Sequence, residues 1–167
     1  MAAKVEVYIG LGSNLGRPQE NLRFALEGLR NIPGLTQVES SSFYRSSPVG
    51  VLDQPEFVNA VARGYYEGDA ATLLASLLGL EAARGRVREE KWGPRILDLD
   101  LLLFGRESIA TPELRVPHPF LAQRLFVLVP LAELAPLLVI PGAGKTAEEL
   151  IRLLPAAERA GQEIERI

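Results

Sequence analysis

The chain has 167 residues, 47% of them hydrophobic, a length and composition that suit a single domain spanning residues 1–167 with a sizeable core. Its net charge of −3 and pI near 5.3 argue against a general nucleic-acid-binding protein. The absence of cysteine excludes disulfides, thiolate nucleophiles and zinc–thiolate sites.

Strand and helix signals alternate through the first half of the chain. In chain order they predict a strand at Lys4 to Gly12, a helix at Pro18 to Asn31, strands at Gln37 to Arg45 and Pro55 to Tyr66, and a helix capped by Asp69 that runs towards Arg84. A Pro/Gly-rich loop is expected between the second and third strands. The early glycines are spaced G-x-G-x-x-x-G and miss the dinucleotide fingerprint by one residue, so we assign them to a tight strand-to-helix turn.

The second half of the chain begins with a charged segment, Arg84 to Trp92, that lacks apolar periodicity and is expected to be a mobile loop. A strand containing Asp98 follows, and then a Pro-His-Pro turn, a short helix at Leu125 to Leu134 and a capping box, Thr146-x-x-Glu149, for a last helix. The element order predicts an α+β fold, the ferredoxin-like βαββαβ sandwich with C-terminal helical additions.

No segment predicts a membrane span, because prolines and a glutamate interrupt the apolar stretch from Leu125 to Ala143. The chain opens Met-Ala-Ala-Lys and leads directly into a strand, so we expect no signal peptide. The expected location is the cytoplasm.

The run Trp92-Gly-Pro-Arg-Ile-Leu-Asp-Leu-Asp-Leu-Leu-Leu-Phe places two carboxylates in an otherwise apolar strand. Residues two apart in a strand share a face, so Asp98 and Asp100 project together from Cα atoms roughly 6.6 Å apart. Leucines 97, 99 and 101 then point into a core on the other face. Like charges on one face repel unless a cation lies between them, and oxygen ligands favour a hard cation such as Mg²⁺. The alternative is a half-exposed strand with a solvated acidic face.

Several arginines lie close to the two aspartates in sequence. Such cations either pair with the carboxylates or share a phosphate–metal ligand with them. We favour the ligand for Arg86 and Arg95, and the sequence leaves Arg84 and Arg124 open.

Other residues have both a structural and a functional interpretation. His118 is the only histidine, and a lone histidine in a turn is more often structural than catalytic. Phe57, Phe126 and Trp92 suit either stacking on a planar ligand or filling the core. Asn59 lies in an apolar strand and has the donor and acceptor needed to read the edge of a heterocycle.

Two further function classes fit the sequence less well. Gly144-Lys145-Thr146 resembles the end of a P-loop, but Val139 stands where the first glycine would be required, so Lys145 is interpreted as a solvent-exposed residue beside a helix cap. A ferredoxin-like nucleic-acid-binding module without catalysis needs an aromatic strand and a basic face, whereas this strand carries two aspartates.

The run Lys91-Trp-Gly-Pro-Arg-Ile-Leu-Asp-Leu-Asp-Leu-Leu resembles the signature of the 6-hydroxymethyl-7,8-dihydropterin pyrophosphokinase family. The resemblance extends in order to about Pro136. It includes Tyr8-Ile-Gly-Leu-Gly-Ser-Asn-Leu-Gly, Ser42-Phe-Tyr-Arg-Ser-Ser-Pro-Val-Gly, Asp53-Gln-Pro-Glu-Phe-Val-Asn59, Gly85-Arg-Val-Arg88 and Val116-Pro-His-Pro119.

This resemblance implies an ATP-dependent pyrophosphokinase of folate biosynthesis that transfers pyrophosphate from MgATP to 6-hydroxymethyl-7,8-dihydropterin and releases AMP. By the same resemblance Asp98 and Asp100 hold two Mg²⁺ ions and are catalytic together with Arg86 and Arg95. The implied ATP-binding residues are Glu81, Arg86, Arg88, Trp92, Arg95, Leu101, His118 and Arg124. The implied pterin-binding residues are Ser46, Pro48, Val49, Phe57, Asn59, Trp92, Asp98 and Phe126.

The chain departs from the family pattern at three places near the expected adenine and ribose positions: Leu78, Arg115 and Pro119. Phe57 also stands where many members have tyrosine, which retains stacking without the hydroxyl. We expect ATP and the pterin as partners, no nucleic acid or membrane, and a monomer.

Overall fold

The computed structural model describes residues 3–46, 55–84, 96–160 and 162–167. In this part of the chain the strands are β1 (Val5–Ser13), β2 (Leu35–Ser40), β3 (Tyr44–Ser46), β4 (Phe57–Tyr66), β5 (Asp98–Phe104), β6 (Ile109–Ala110), β7 (Arg115–Val116), β8 (Val139–Ile140), β9 (Lys145–Thr146) and β10 (Ile164–Arg166). The helices are α1 (Pro18–Arg30), α2 (Ala70–Ala83), α3 (Leu125–Leu134), α4 (Ala147–Leu153) and α5 (Ala156–Ala160), with a 3₁₀ turn at Leu121–Gln123.

A six-stranded antiparallel sheet organises the molecule. Its strand order is β10-β3-β4-β1-β5, and β2 also pairs with β4. When β2 and β3 are taken as two parts of one strand, the order β1-α1-β2/β3-β4-α2-β5 is the predicted βαββαβ order. The predicted α+β ferredoxin-like sandwich is therefore confirmed.

Each face of the sheet is covered by a separate apolar cluster. Helices α1 and α2 cover the first face, where Leu97, Leu99 and Leu101 are all less than 5% exposed, as the strand pattern predicted. Helices α3 and α4 cover the second face through the second cluster, which includes Tyr8 and Val61. Fully burying one leucine side chain stabilises a fold by about 1.5–3 kcal/mol, so alternation in β5 strongly fixes which face receives the aspartates.

The predicted second strand, Gln37 to Arg45, is wrong as a continuous element. The structure divides this region into β2 and β3, because the Ser41 hydroxyl accepts the β4 N–H that a backbone carbonyl would accept in a regular ladder. The Ser41 hydroxyl accepts from the Val61 N–H at 3.0 Å and donates to the Ser42 carbonyl at 2.8 Å. Both strands still pair with β4.

The C-terminal region extends beyond the predicted last helix. The capping box is confirmed, since Thr146 caps α4 and Glu149 accepts from the Thr146 N–H. However, α5 and β10 follow α4, and β10 joins the main sheet beside β3. The sequence pattern does not predict β10, because a three-residue strand has too few positions to show alternation.

Several predictions fall on residues outside the described ranges: the loop after Ser46, and most of the charged segment that follows α2. Arg84 is described, and it ends α2 as its C-cap instead of beginning a loop. Its Nε atom donates to Asn21 Oδ1 at 2.9 Å, and its guanidinium lies 4.9 Å from the Phe24 ring centroid. Within the described ranges, no helix combines the length and hydropathy needed to cross a membrane.

Candidate functional site

The two aspartates of β5 share the face of the sheet that α3 covers. In the strand register, Asp98 lies opposite Gly12 of β1, and Asp100 lies opposite Gly10. Gly10 in turn lies opposite Val61, a member of the second cluster. Both aspartates are half-buried, so their carboxylates stand at the border between this cluster and solvent.

A single row of cross-strand neighbours extends from Asp98 across the sheet. Gly12 lies opposite Asn59 of β4, and Asn59 lies opposite Tyr44 of β3. Because neighbouring strands are about 4.8 Å apart, Asn59 and Asp98 are two strand spacings apart with no side chain between them. A Cβ atom added to Gly12 would lie 3.0 Å from Asn59 Oδ1. Glycine therefore keeps a gap open between the amide and the carboxylate.

The early glycines do not all belong to the strand-to-helix turn that their spacing predicted. Gly10 and Gly12 both lie within β1, and only Gly16, with φ of 66°, belongs to the turn before α1. The first two glycines keep the sheet face open beside the aspartates. Spacing alone did not show this, because it depends on which residues of β4 and β5 lie opposite.

The predicted pterin-binding residues in the described ranges lie on the side of the sheet that contains this gap. Asn59 is buried, and its Nδ2 atom donates to the Ser46 hydroxyl at 2.5 Å. Phe57 lies opposite Ser46 and two residues before Asn59, so it shares their face of the sheet. Phe126, in the first turn of α3, packs against the second cluster on the same side.

Arg124 and His118 bring nitrogen groups close to the aspartates. The Arg124 guanidinium lies 4.8 Å from the Phe120 ring centroid and 5.3 Å from that of Phe126. Burial lowers the pKa of Arg124, and the carboxylates of Asp100 and Asp98 oppose that effect. Arginine retains its charge throughout the accessible pH range, so Arg124 brings a fixed cation to the site.

His118 is neutral in this environment. Burial and the charge of Arg124 lower its pKa to about 4, although the carboxylate of Asp98 acts in the opposite direction. Its Nδ1 atom accepts from the Phe120 N–H at 3.3 Å, and its Nε2 atom lies 4.0 Å from Asp100 Oδ1. A neutral ring that accepts through Nδ1 carries its proton on Nε2, on the side of Asp100.

The depressed pKa of His118 predicts a pH-dependent stability. The unfolded chain binds this proton more tightly, so the stabilisation is complete above about pH 6.5 and is lost as the pH falls towards 4. Between about pH 7 and pH 5 the group should lower the free energy of unfolding by about 2 kcal/mol. We expect urea denaturation to show that, over this pH range, the free energy of unfolding falls by this amount more in the wild-type chain than in His118→Asn. Parallel stability curves for the two proteins would contradict it.

A cavity of about 470 Å³ lies between α2, the outer edge of β5 and residues 112–119. Its volume falls within the range of small-molecule sites. Glu81 lies on its wall, is 1% exposed, and accepts from the Leu99 N–H through Oε2 at 2.8 Å. The lining also includes Leu74, Leu78, Asp100, Leu101, Arg115 and His118.

This cavity groups residues that are far apart in sequence. Glu81, Leu101 and His118, predicted at the nucleotide, all lie on its wall. The three departures from the family pattern, at positions 78, 115 and 119, line the same cavity. Asp100 lines it too, and so connects the cavity with the sheet face that carries Asn59.

Some predicted site residues lie outside the described ranges, and some contributing residues were not predicted. The former are Pro48, Val49, Arg86, Arg88, Trp92 and Arg95. The latter include Phe120, whose ring lies against Arg124, and Gly12, whose missing side chain forms the gap. Phe120 follows the Pro-His-Pro turn directly, and this adjacency was the only sequence signal for it.

The donor set of this site fits magnesium bound together with a phosphate ligand. Among the described residues, no group of three or more His, Asp or Glu side chains is arranged to hold a metal by itself. Mg²⁺ is usually held by one or two carboxylates, with substrate phosphates and water completing its shell. Asp98 and Asp100, on one face beside two glycines, supply that number of carboxylates and leave space next to them.

Known proteins similar to this chain were found by sequence and by structure. Residues 8–136 match the family described as 7,8-dihydro-6-hydroxymethylpterin-pyrophosphokinase. The chain is 45% identical over 149 residues to the 2-amino-4-hydroxy-6-hydroxymethyldihydropteridine pyrophosphokinase of Pseudomonas aeruginosa, covering 89% of this chain and 91% of the relative. It is also 45% identical over 139 residues to the protein of that name from Haemophilus influenzae, covering 83% and 87%.

A solved structure is also similar in fold. The wild-type HPPK-DHPS of Plasmodium falciparum, crystallised with pterin and p-hydroxybenzoate, matches with a TM-score of 0.67 and 14% identity. The match covers 91% of this chain and 43% of the Plasmodium chain, so this chain spans less than half of that protein. At this identity the likeness shows the fold alone.

Proposed function

The chain belongs to the 7,8-dihydro-6-hydroxymethylpterin-pyrophosphokinase family, and we propose that the site on β5, β1 and β4 carries out its reaction. The protein is an ATP-dependent pyrophosphokinase that transfers pyrophosphate to hydroxymethyldihydropterin in folate biosynthesis. The family resemblance seen in the sequence is confirmed. No observation favours the alternative of a nucleic-acid-binding module.

One observation supports the location of the site above all others: the row from Asn59 through Gly12 to Asp98. It places a group that can read a heterocycle two strands from a carboxylate suited to magnesium, with an open gap between them. We propose that the pterin occupies this gap, with its edge on Asn59 and Ser46. Its rings would then stack between Phe57 and Phe126, and Asp98 would lie beside its hydroxymethyl group.

We propose that ATP occupies the cavity beside the edge of β5, with its triphosphate directed towards Asp100. Leu101 offers an apolar wall for the adenosine, and Glu81 braces the strand by accepting from the Leu99 N–H. His118 and Arg124 lie next to the aspartates, where they suit contacts to phosphate oxygens. By resemblance, Arg86, Arg88, Arg95 and Trp92 are further ATP contacts, and Pro48, Val49 and Trp92 further pterin contacts.

Asp98 and Asp100 would hold two Mg²⁺ ions in this proposal. Magnesium bound there neutralises charge on the triphosphate and orients it. The chain's own groups complete the electrostatic environment: Arg124 contributes a fixed positive charge, and neutral His118 offers a hydrogen bond from Nε2. Phosphoryl chemistry requires little covalent assistance, so positioning and charge stabilisation are the main contributions of these residues.

The expected reaction is an attack by the pterin hydroxymethyl oxygen on the β-phosphorus of ATP. The bond between the β-phosphorus and the oxygen of the α-phosphate breaks, and AMP leaves. Incubating the protein with MgATP and hydroxymethyl-dihydropterin should therefore produce AMP and pterin pyrophosphate in equal amounts, resolved by chromatography. ADP as the main nucleotide product would instead indicate an ordinary kinase.

We propose that residues 1–167 act as a single domain and as a monomer. The two apolar clusters pack on opposite faces of one sheet, which supports a single domain. Sedimentation at catalytic concentrations, with and without substrates, tests the monomer. Because ATP is the donor, we propose that the reaction takes place in the cytoplasm.

A further inference from the structure

The C-terminal end of the chain reaches the proposed site, although it lies beyond residues 8–136 that match the family. The side chain of Gln162, which lies just before β10, makes this contact with the site. Gln162 Oε1 accepts from the Leu125 N–H at 2.7 Å, and its Nε2 donates to the Gln123 carbonyl at 2.9 Å. The two bonds hold the backbone on either side of Arg124.

This contact provides an acceptor for a backbone N–H at the start of α3. Arg124 is the N-cap residue of α3, and its own side chain makes no capping hydrogen bond. The first N–H groups of a helix have no partner within the helix, so the Leu125 N–H depends on an external acceptor. Gln162, thirty-seven residues later in the chain, supplies it. The Arg124 side chain is thereby left to extend between the rings of Phe120 and Phe126.

The same terminal segment also holds the opposite wall of the site. Two residues after Gln162, Ile164 lies opposite Ser46 in the β10–β3 pairing, and Ser46 accepts from Asn59. Arg166 lies 3.8 Å from Glu133 of α3, a carboxylate that also accepts from the Tyr44 hydroxyl of β3 at 2.5 Å. One short segment therefore connects the start of α3 with the strand that carries Ser46.

We infer that Gln162 is a positioning residue for the pterin and phosphate groups of the site. It fixes the backbone of Arg124 and the first turn of α3, and so sets where Phe126 stands relative to Asn59. This inference rests on the proposed function, because it assigns a catalytic consequence to the position of Phe126. Displacements of about 1 Å far from the reacting atoms can cost about a hundredfold in rate, so a partial loosening should cost about tenfold.

The test compares Gln162→Ala with Thr146→Ala, a matched control. Both substitutions remove the side-chain cap of a helix in the C-terminal region, but Thr146 caps α4, outside the proposed site. With MgATP saturating, Gln162→Ala should lower kcat/KM for the pterin about tenfold, with most of the change in KM. Thr146→Ala should remain within about twofold of the wild type at a similar loss of melting temperature.

A second measurement is independent of catalysis. Hydrogen exchange of the Leu125 amide, followed by NMR, should be about tenfold faster in Gln162→Ala and unchanged in Thr146→Ala. Gln162→Asn holds its amide one methylene closer to the backbone. It should change kcat/KM and the exchange rate of the Leu125 amide in the same directions as Gln162→Ala. Equal kinetic effects in Gln162→Ala and its control, or wild-type kinetics in either Gln162 variant, would overturn the inference. If the wild type forms no AMP, the proposed function fails, whereas the exchange measurement still tests whether Gln162 holds the Leu125 amide.

Discussion

Replacing either Asp98 or Asp100 with alanine is expected to lower the rate of pyrophosphate transfer by at least about a hundredfold, a loss typical of removing one transition-state stabiliser. Each substitution removes one of the two carboxylates on the face of β5 that borders the cavity and the gap at Gly12. The negative charge of the triphosphate would then be incompletely neutralised near the reacting centre.

The fold should tolerate both substitutions. In the ligand-free protein the two carboxylates repel each other, so alanine relieves that repulsion, and the remaining carboxylate still balances the charge of Arg124. The melting temperature should not fall, while steady-state formation of AMP should collapse. Lys145→Ala is the control, because this exposed lysine of β9 lies in the separate β8–β9 hairpin. Near-normal activity in both aspartate variants would restore the interpretation of a solvated acidic face.

Replacing Gly12 with valine is expected to abolish pterin binding and to lower kcat/KM at least about a hundredfold. A Cβ atom at this position would already lie 3.0 Å from Asn59 Oδ1, and the valine methyl groups would enter the gap next to Asp98. Overpacking of this kind displaces the neighbouring groups, and misplacement by about 1 Å has costs of that order. Valine suits strand backbone, so β1 should persist.

The matched control is Gly79→Val in α2, where an added Cβ meets nothing within 4 Å. Isothermal titration with the pterin, in the presence of a non-hydrolysable ATP analogue, separates the two variants. Gly79→Val should bind like the wild type. Tight pterin binding by Gly12→Val would place the pterin elsewhere on the molecule and contradict the proposed arrangement.

Much of the fold follows from local sequence patterns. The alternation around Asp98 and Asp100 predicted the strand, its buried leucine face and the common face of the two carboxylates. The cap at Asp69 and the capping box at Thr146 likewise marked helix starts that the structure confirms. These features depend on residues only a few positions apart in the chain, so periodicity and capping chemistry are sufficient to detect them.

The family, and with it the reaction, was also accessible from sequence, because the run through Asp98 and Asp100 is a specific signature that the comparisons bear out. The break in the strand at Ser41 could not be predicted from the sequence. It depends on a bond to Val61, twenty residues away, that replaces a regular ladder contact.

The geometry of the proposed site depends on tertiary structure. The gap at Gly12 exists only because pairing with β4 and β5 brings Asn59 and Asp98 to either side of a residue without a side chain. The low pKa of His118 arises from burial and from the nearby charge of Arg124. The hydrogen bond between Gln162 and Leu125 joins residues thirty-seven positions apart. Local sequence determines which residues are available and which face they take, but distances and electrostatic environments are set by contacts between distant segments, which no local pattern encodes.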